Sequence, residues 1–209
     1  MALVKYNNNS ISAVTSAAAI PSGALVPIKT LTASSSSTVS FVHGSSDVVL
    51  DSTYPIYVFK FINIHPSAHN AAATGGLNFN ASIDTGSNYN VAKTSSAFTA
   101  YHAEDAAGAG LGYNTTNDAA QQTTAIPLSG QIYTDADSSL SGEMFLFNPS
   151  STTFVKHFIA KTHIYYSGDY SYVTNIAGYF NTTSAIDEIQ FKMSSGDIDA
   201  GTIQLFGIL

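Results

Sequence analysis

The chain has 209 residues, no cysteine, and a formal net charge of −7 that comes from 7 lysines, no arginine and 14 acidic residues. Disulfides and thiolate metal sites are therefore excluded, and without arginine or a basic stripe we expect no DNA or RNA partner. Only 10% of the residues are charged while Ser and Thr are abundant, a composition that suits surfaces packed against neighbouring subunits.

The first 24 residues differ in character from the rest of the chain. They combine the polar run NNNS with a patch of alanines and the sequence IPSG, and such a segment has little apolar surface to bury by itself. We therefore expect an extended N-terminal arm over residues 1–24 and a single domain over residues 25–209. The opening residues lack the apolar region of a secretory signal, and no apolar run approaches the length of a bilayer span, so we expect no membrane insertion.

Strand signals recur along the domain at short, regular spacing. The nearly continuous apolar run at 56–64 is typical of a central strand. Residues 77–84 alternate in polarity with Ile83 among the inward residues, and the turn residues 84–88 predict a hairpin to a strand at 89–93. Further strand signals lie at 25–32, 38–43, 98–102, 140–147, 154–166 and 170–180.

The end of the chain predicts how the sheet closes. Residues 189–193 alternate in polarity, residues 194–197 have the composition of a turn, and residues 201–209 form a second strand, so we expect a closing hairpin. Residues 103–122 are rich in Gly, Ala and Asn and predict a long surface loop. About ten strands without a helix-period segment predict an all-β, single-domain, jelly-roll-like antiparallel β-sandwich.

Four stretches of the sequence carry a resemblance that covers nearly the whole chain. They are MALVKYNNNSISAVTS at the start, FKFINIHPS at 59–67, SLSGEMFLFNPSSTTFVKHF at 139–158 and SSGDIDAGTIQLFGI near the end. Together they resemble a family of small virion structural proteins encoded by tailed bacteriophages, notably those of marine bacteria.

The resemblance implies a non-enzymatic structural protein of the virion that forms a homo-oligomer, with a trimer as the expectation, and contacts other virion proteins. Two roles fit the same fold. A tail fibre or tip module would recognise a host-surface glycan, whereas a capsid decoration protein would clamp shell subunits. A polysaccharide-degrading enzyme of the tail is a third alternative.

A cluster of tyrosines is the strongest candidate for a functional surface. Tyr165, Tyr166, Tyr170 and Tyr172 surround a Gly-Asp turn that contains Asp169. Flat aromatic rings with hydroxyl tips bind sugar rings and protein partners well, and a turn favours exposure. The pattern leaves three interpretations open, which are ligand contact, subunit contact and ordinary packing in a strand.

Potential metal ligands lack the spacing of a known site. His65 and His69 are four residues apart, but Pro66 between them opposes the helix that would align them, and His157 and His163 have apolar neighbours. Carboxylates also lie two apart in two turns, where they could cage calcium, although the sequence departs from the EF-hand pattern. These two pairs are Asp135 with Asp137 and Asp197 with Asp199. We expect no metal and no cofactor.

The sequence offers little for catalysis. It contains no G-x-S-x-G elbow, and the glutamates available for glycoside hydrolysis are Glu104, Glu143 and Glu188. His102 and Asp105 lie close to Glu104, but beside a glycine-rich stretch that is poorly suited to hold catalytic geometry. We therefore expect no enzymatic activity.

Overall fold

A computed structural model describes residues 25–69, 75–166 and 168–209. The predicted arm at 1–24 lies outside these residues. β-Strands make up 57% of the described residues, and these residues contain no helix. The strands are β1 (Leu25–Ser36), β2 (Val39–Val42), β3 (Ile56–Pro66), β4 (Leu77–Ser82), β5 (Lys93–Ala103), β6 (Ala109–Tyr113), β7 (Ala119–Gln122), β8 (Ile126–Pro127), β9 (Leu140–Phe147), β10 (Lys156–Tyr166), β11 (Tyr170–Phe180), β12 (Glu188–Met193) and β13 (Ile198–Ile208).

The strands form two antiparallel sheets of unequal size that pack face to face. The larger sheet has nine strands in the order β1-β13-β3-β9-β10-β11-β5-β6, with β7 also paired to β5. The smaller sheet has four strands in the order β2-β12-β4-β8. The prediction of an all-β antiparallel sandwich is confirmed, and the apolar run at 56–64 does form a central strand.

Aromatic side chains fill the space between the two sheets. Phe191 of the small sheet meets three phenylalanines edge-on, with ring centroids 6.3 Å from Phe41, 5.3 Å from Phe59 and 5.2 Å from Phe61. All four rings are buried. Edge-to-face pairs of this kind add about 0.5–1.5 kcal/mol each beyond the burial of apolar area, so Phe191 is a central contact between the sheets.

Three expected connections are wrong. The strands β12 and β13 do not form a closing hairpin, because β12 pairs with β2 and β4 whereas β13 pairs with β1 and β3. The turn at 84–88 does not lead into a paired strand either, and Ile83 is exposed. The predicted loop at 103–122 contains β6 and β7, which extend the large sheet beside β5. Turn composition reveals where the chain bends, but not which strands pair afterwards.

The inner face of the large sheet continues past the small sheet at one end. Along β10, alternate residues point inward, and the first of them pack under the small sheet, where Phe158 lies 5.1 Å from Phe79 between ring centroids. Further along, the Thr162 hydroxyl donates a hydrogen bond of 2.6 Å to the carbonyl oxygen of Leu128. The last inward residue, Tyr166, is only half-buried. This end of the large sheet is therefore only partly covered.

Candidate functional site

Four tyrosines line a cavity of about 330 Å³ at the open end of the large sheet. They are Tyr101 of β5, Tyr166 of β10, and Tyr170 and Tyr172 of β11, and they are called the tyrosine cluster below. Three of the predicted residues thus come together, and Tyr101 joins them from a strand about 70 residues earlier in the chain. A ligand that enters this cavity contacts aromatic rings from three adjacent strands.

Strand register explains why these rings meet. Tyr166 pairs with Tyr170 across β10 and β11, and Tyr172 pairs with Tyr101 across β11 and β5. Because side chains alternate between the two faces of a strand, Tyr170 and Tyr172 must share a face, and their partners in register share it too. The tyrosine cluster is therefore carried by hydrogen-bonded strands of a sheet rather than by a free loop.

The rings form a short, nearly parallel row. The ring planes of Tyr101 and Tyr172 differ by 13° with centroids 6.3 Å apart, and those of Tyr166 and Tyr172 differ by 26° at 5.6 Å. Tyr170 meets Tyr101 and Tyr166 edge-on, at 5.9 Å and 6.4 Å. These offset and edge-on arrangements are the ones that aromatic pairs prefer, so the rings hold one another in place.

Two glycines let the rings lie against the backbone. A Cβ atom on Gly130 would meet the Tyr172 ring at 2.9 Å, and one on Gly110 would meet the Tyr101 ring at 2.9 Å. Gly110 is the register partner of Tyr101 on β6. Any larger residue at either position would push a ring out of the row.

A second, polar cavity of about 300 Å³ shares Tyr166 and Tyr172 with the first. We call it the polar groove, and its remaining walls carry mostly hydroxyl and amide groups. These walls are Thr99, Tyr113, Asn114, Thr115, Thr116, Asn117, Gly130 and Gln131. The aromatic cavity and the polar groove therefore form one continuous surface.

Asn117 is the most deeply placed residue of the polar groove. It is fully buried, and its Nδ2 donates hydrogen bonds to the carbonyl oxygens of Pro127 at 3.1 Å and Ser129 at 3.0 Å. Its Oδ1 accepts no hydrogen bond from the residues that the structure describes. This oxygen is itself buried, so it is a cost to the fold and not part of the surface that a ligand can reach.

Tyr165 and Asp169, the other two predicted residues, contact each other and do not line either cavity. The Tyr165 hydroxyl donates a hydrogen bond to the Asp169 carboxylate. This hydrogen bond, together with the negative charges of Asp169, Asp137 and Glu104, raises the pKa of Tyr165 to about 12. Its hydroxyl therefore stays protonated at neutral pH, and the surroundings of the turn are negatively charged.

A tyrosine hydroxyl is also paired with a carboxylate at the polar groove. The Tyr113 hydroxyl donates to Asp118 Oδ2 at 2.9 Å, which raises the pKa of Tyr113. Burial raises the pKa of Tyr166. Within the described ranges, no lysine lines either cavity. The site thus combines protonated hydroxyls with nearby carboxylates.

The residues considered as potential metal ligands meet different partners. His65 Nε2 lies 3.3 Å from the carbonyl oxygen of Asp135, whereas the His69 ring packs on Tyr133 at 4.0 Å between centroids. The two acidic turns do converge, since Asp137 and Asp199 line one cavity of about 520 Å³ together with His65. The described residues nevertheless contain no group of three or more His, Cys, Asp or Glu side chains that could hold a metal ion.

The three glutamates considered for catalysis belong to different parts of the fold. Glu143 lies on the outer face of the large sheet, with Oε2 3.6 Å from Lys60 Nζ. Glu188 is buried in the small sheet, accepts a hydrogen bond from the Tyr89 hydroxyl, and has a pKa raised by desolvation. Glu104 follows β5, where its backbone N–H donates to the carbonyl oxygen of Asp169 at 2.8 Å.

An apolar strip crosses the outer face of the large sheet. Phe145, Ile159 and Ala177 are neighbours in register on β9, β10 and β11, and they line a shallow cavity of about 350 Å³ with Phe98. Phe98 and Ile159 are 49% and 50% exposed. Contiguous exposed apolar groups of this kind are typical of surfaces that contact other proteins.

Comparison of the chain with protein-family models, with curated proteins and with solved structures gives no match. None of the described residues belongs to a helix that is long and apolar enough to cross a membrane. The geometry of the tyrosine cluster and the resemblance of the sequence are therefore the two grounds for a functional proposal.

Proposed function

We propose that this chain is a non-enzymatic structural protein of a tailed bacteriophage particle, and that its tyrosine cluster binds a glycan on the host surface. The observation that carries the proposal is the row of tyrosine rings beside a groove of hydroxyl and amide groups. A sugar unit has an apolar face that packs on an aromatic ring and hydroxyl groups at its edge that need polar partners.

The ordered arrangement of the tyrosine cluster favours ligand binding over ordinary packing as the role of these rings. Each ring is attached to a strand with neighbours on both sides, and the glycines at 110 and 130 fix the distance of the rings from the backbone. Tyr101 is still 40% exposed. An accessible surface that is already ordered loses little conformational entropy when a ligand binds, which favours a recognition role.

The place of the protein on the particle is proposed from the resemblance of its sequence. A tail fibre or tip module is the role that uses a glycan site, and oligomerisation into a trimer would present several copies of the site together. Hydrolysis of the glycan is not proposed, because glycosidases need two carboxyl groups facing one bond and the three glutamates lie on separate elements.

Binding to purified surface polysaccharides tests the proposal. We expect the protein to bind at least one polysaccharide on an array of purified neutral and acidic bacterial surface glycans, and the double variant Tyr166→Ala with Tyr170→Ala to lose that binding. The matched control is Phe154→Ala, which removes a 69% exposed aromatic ring just before β10, at the opposite end of that strand from Tyr166. Equal losses in both variants, or unchanged binding in the tyrosine variant, would contradict the proposal.

The apolar strip favours a second candidate, which is capsid decoration. As a decoration protein, the chain would place Phe145 and Ile159 against shell subunits or neighbouring copies. Ile159→Lys puts a charge at the centre of the strip and should abolish binding to emptied shells while leaving glycan binding intact. Light scattering on the same variant should show whether the strip also holds the homo-oligomer together.

A further inference from the structure

The two cavities of the site differ in chemistry but share two walls. Tyr166 and Tyr172 line both the aromatic cavity of about 330 Å³ and the polar groove of about 300 Å³. Each volume is near the lower limit of the roughly 300–1,000 Å³ that small-molecule pockets occupy. Because the two cavities share these walls, a ligand that packs on the tyrosine rings and also uses the polar groove must extend past Tyr172.

The polar groove suits a ligand rich in hydroxyl groups. Apart from the two shared tyrosines, its walls carry mostly hydroxyl and amide groups, which both donate and accept hydrogen bonds. Sugar hydroxyl and acetamido groups also donate and accept, so they can pair with either kind of group on these walls. An ionised carboxylate or phosphate group only accepts, so it can pair with the donors alone.

The charges around the site oppose an anionic ligand. The carboxylate at the polar groove is that of Asp118, which accepts from the hydroxyl of the lining residue Tyr113, whereas Asp169 accepts from Tyr165 outside both cavities. The chain has no arginine, and in the described ranges no lysine lines either cavity. Like charges brought close together in a partly desolvated site discriminate strongly against the charged competitor.

We propose that the site binds an uncharged oligosaccharide of at least two sugar units, with one unit on the tyrosine cluster and the next in the polar groove. This inference rests on the proposed function, because it assumes that the tyrosine cluster binds glycans. It excludes glycans whose contacted units carry uronic, sialic or phosphate groups.

Calorimetric titration of the full chain tests chain length and charge separately. The probes are glucose, N-acetylglucosamine, the tetramer of N-acetylglucosamine, cellotetraose and tetragalacturonate. We expect at least one neutral tetrasaccharide to bind about ten-fold or more tightly than N-acetylglucosamine or glucose, since it adds contacts in the polar groove. We expect tetragalacturonate to bind about ten-fold or more weakly than that tetrasaccharide at low salt, with the difference shrinking as salt is added.

Two variants assign the effect to the polar groove. Thr116→Val removes one hydroxyl group from the polar groove and none from the aromatic cavity. It should weaken tetrasaccharide binding about five-fold, because one neutral hydrogen bond is lost. Monosaccharide binding should stay unchanged. Thr152→Val, at an exposed position beyond the far end of β9, is the control and should change neither.

The outcomes separate the two proposals. If tetragalacturonate binds as tightly as the neutral tetrasaccharides, or if monosaccharide and tetrasaccharide bind equally, the inference is overturned while glycan binding by the tyrosine cluster stands. If Thr116→Val weakens monosaccharide and tetrasaccharide alike, the inference is also overturned. If no sugar binds and the polysaccharide array is negative too, both proposals fall.

Discussion

Replacement of Lys93 by methionine is expected to change how the stability of this protein depends on pH. Lys93 is fully buried at the start of β5, and its Nζ donates hydrogen bonds to Asn80 Oδ1 and to the carbonyl oxygen of Thr124, both at 2.8 Å. The carbonyl oxygen of Val91 lies at 3.3 Å. No carboxylate is among the hydrogen-bond partners of this amine in the described part of the chain, and burial lowers its pKa to about 7.

The sign of the pH effect follows from proton binding in the two states. In the unfolded chain the amine has its ordinary pKa of 10.5, so between about 7 and 10.5 the unfolded state binds more protons than the native state. The free energy of unfolding therefore rises with pH across this window, by up to about 1.4 kcal/mol per pH unit, and falls as the pH drops toward 7. From pH 7 to about pH 9 the contribution of Lys93 amounts to roughly 2 kcal/mol.

The variant Lys93→Met should lose this contribution, because methionine does not titrate. At about pH 9 it should also be less stable than the wild type by about 2–4 kcal/mol, since Asn80 Oδ1 and the carbonyl oxygens of Val91 and Thr124 lose the amine as a donor. This deficit should shrink by roughly 2 kcal/mol at pH 7, where the wild type bears the cost of a partly charged buried amine.

Guanidinium denaturation at a series of pH values from about 6 to about 9 measures the effect as the difference in free energy of unfolding between wild type and variant. Lys192→Met, at an exposed position of β12, is the control and should follow the wild-type profile. Parallel profiles for the wild type and Lys93→Met would refute the argument from desolvation.

Three further changes test the site and the core. Gly130→Ala should lower the affinity for a neutral tetrasaccharide about ten-fold in calorimetry, because the Cβ atom of the alanine displaces the Tyr172 ring. This factor is roughly what the loss of one good aromatic contact costs. Asp169→Asn should bring the pKa of Tyr165 down from about 12 toward its ordinary value, and absorbance titration of the tyrosinate measures this change. Asparagine tolerates the left-handed backbone that Asp169 has at this position. Phe191→Ala should lower the free energy of unfolding by about 3–5 kcal/mol, measured by denaturant titration, because three edge-on ring contacts are lost.

Each of these changes has a matched control. Gly112→Ala adds a Cβ atom that meets nothing within 4 Å and should leave sugar affinity unchanged. Tyr165→Phe should remove the high-pKa transition that is assigned to Tyr165. Phe154→Ala removes an exposed ring and should cost well under 1 kcal/mol. A Gly130→Ala protein that binds normally, or a Phe191→Ala protein as stable as Phe154→Ala, would contradict the described packing.

Part of the candidate site was predictable because it depends on local alternation. Tyr170 and Tyr172 are two residues apart in a strand, so they share a face in any sheet that contains them. The cluster around the Gly-Asp turn at 168–169 was therefore visible in the sequence. Tyr101 and the polar groove were not, because they reach the cluster through the pairing of β11 with β5 and through the segment at 113–117. No local pattern specifies that pairing.

The sequence by itself determined the fold class of this protein, since the alternation of apolar residues and the absence of helix period require strands and one buried face. It also determined the net negative charge and the lack of arginine. Only the tertiary structure decided which strands are neighbours. The strands β12 and β13 follow each other in sequence yet lie in different sheets, and Tyr101 pairs with Tyr172 although they are far apart in sequence. The physical reason is that alternation is a property of each strand alone, whereas pairing is decided by the burial and hydrogen bonding of the whole chain at once.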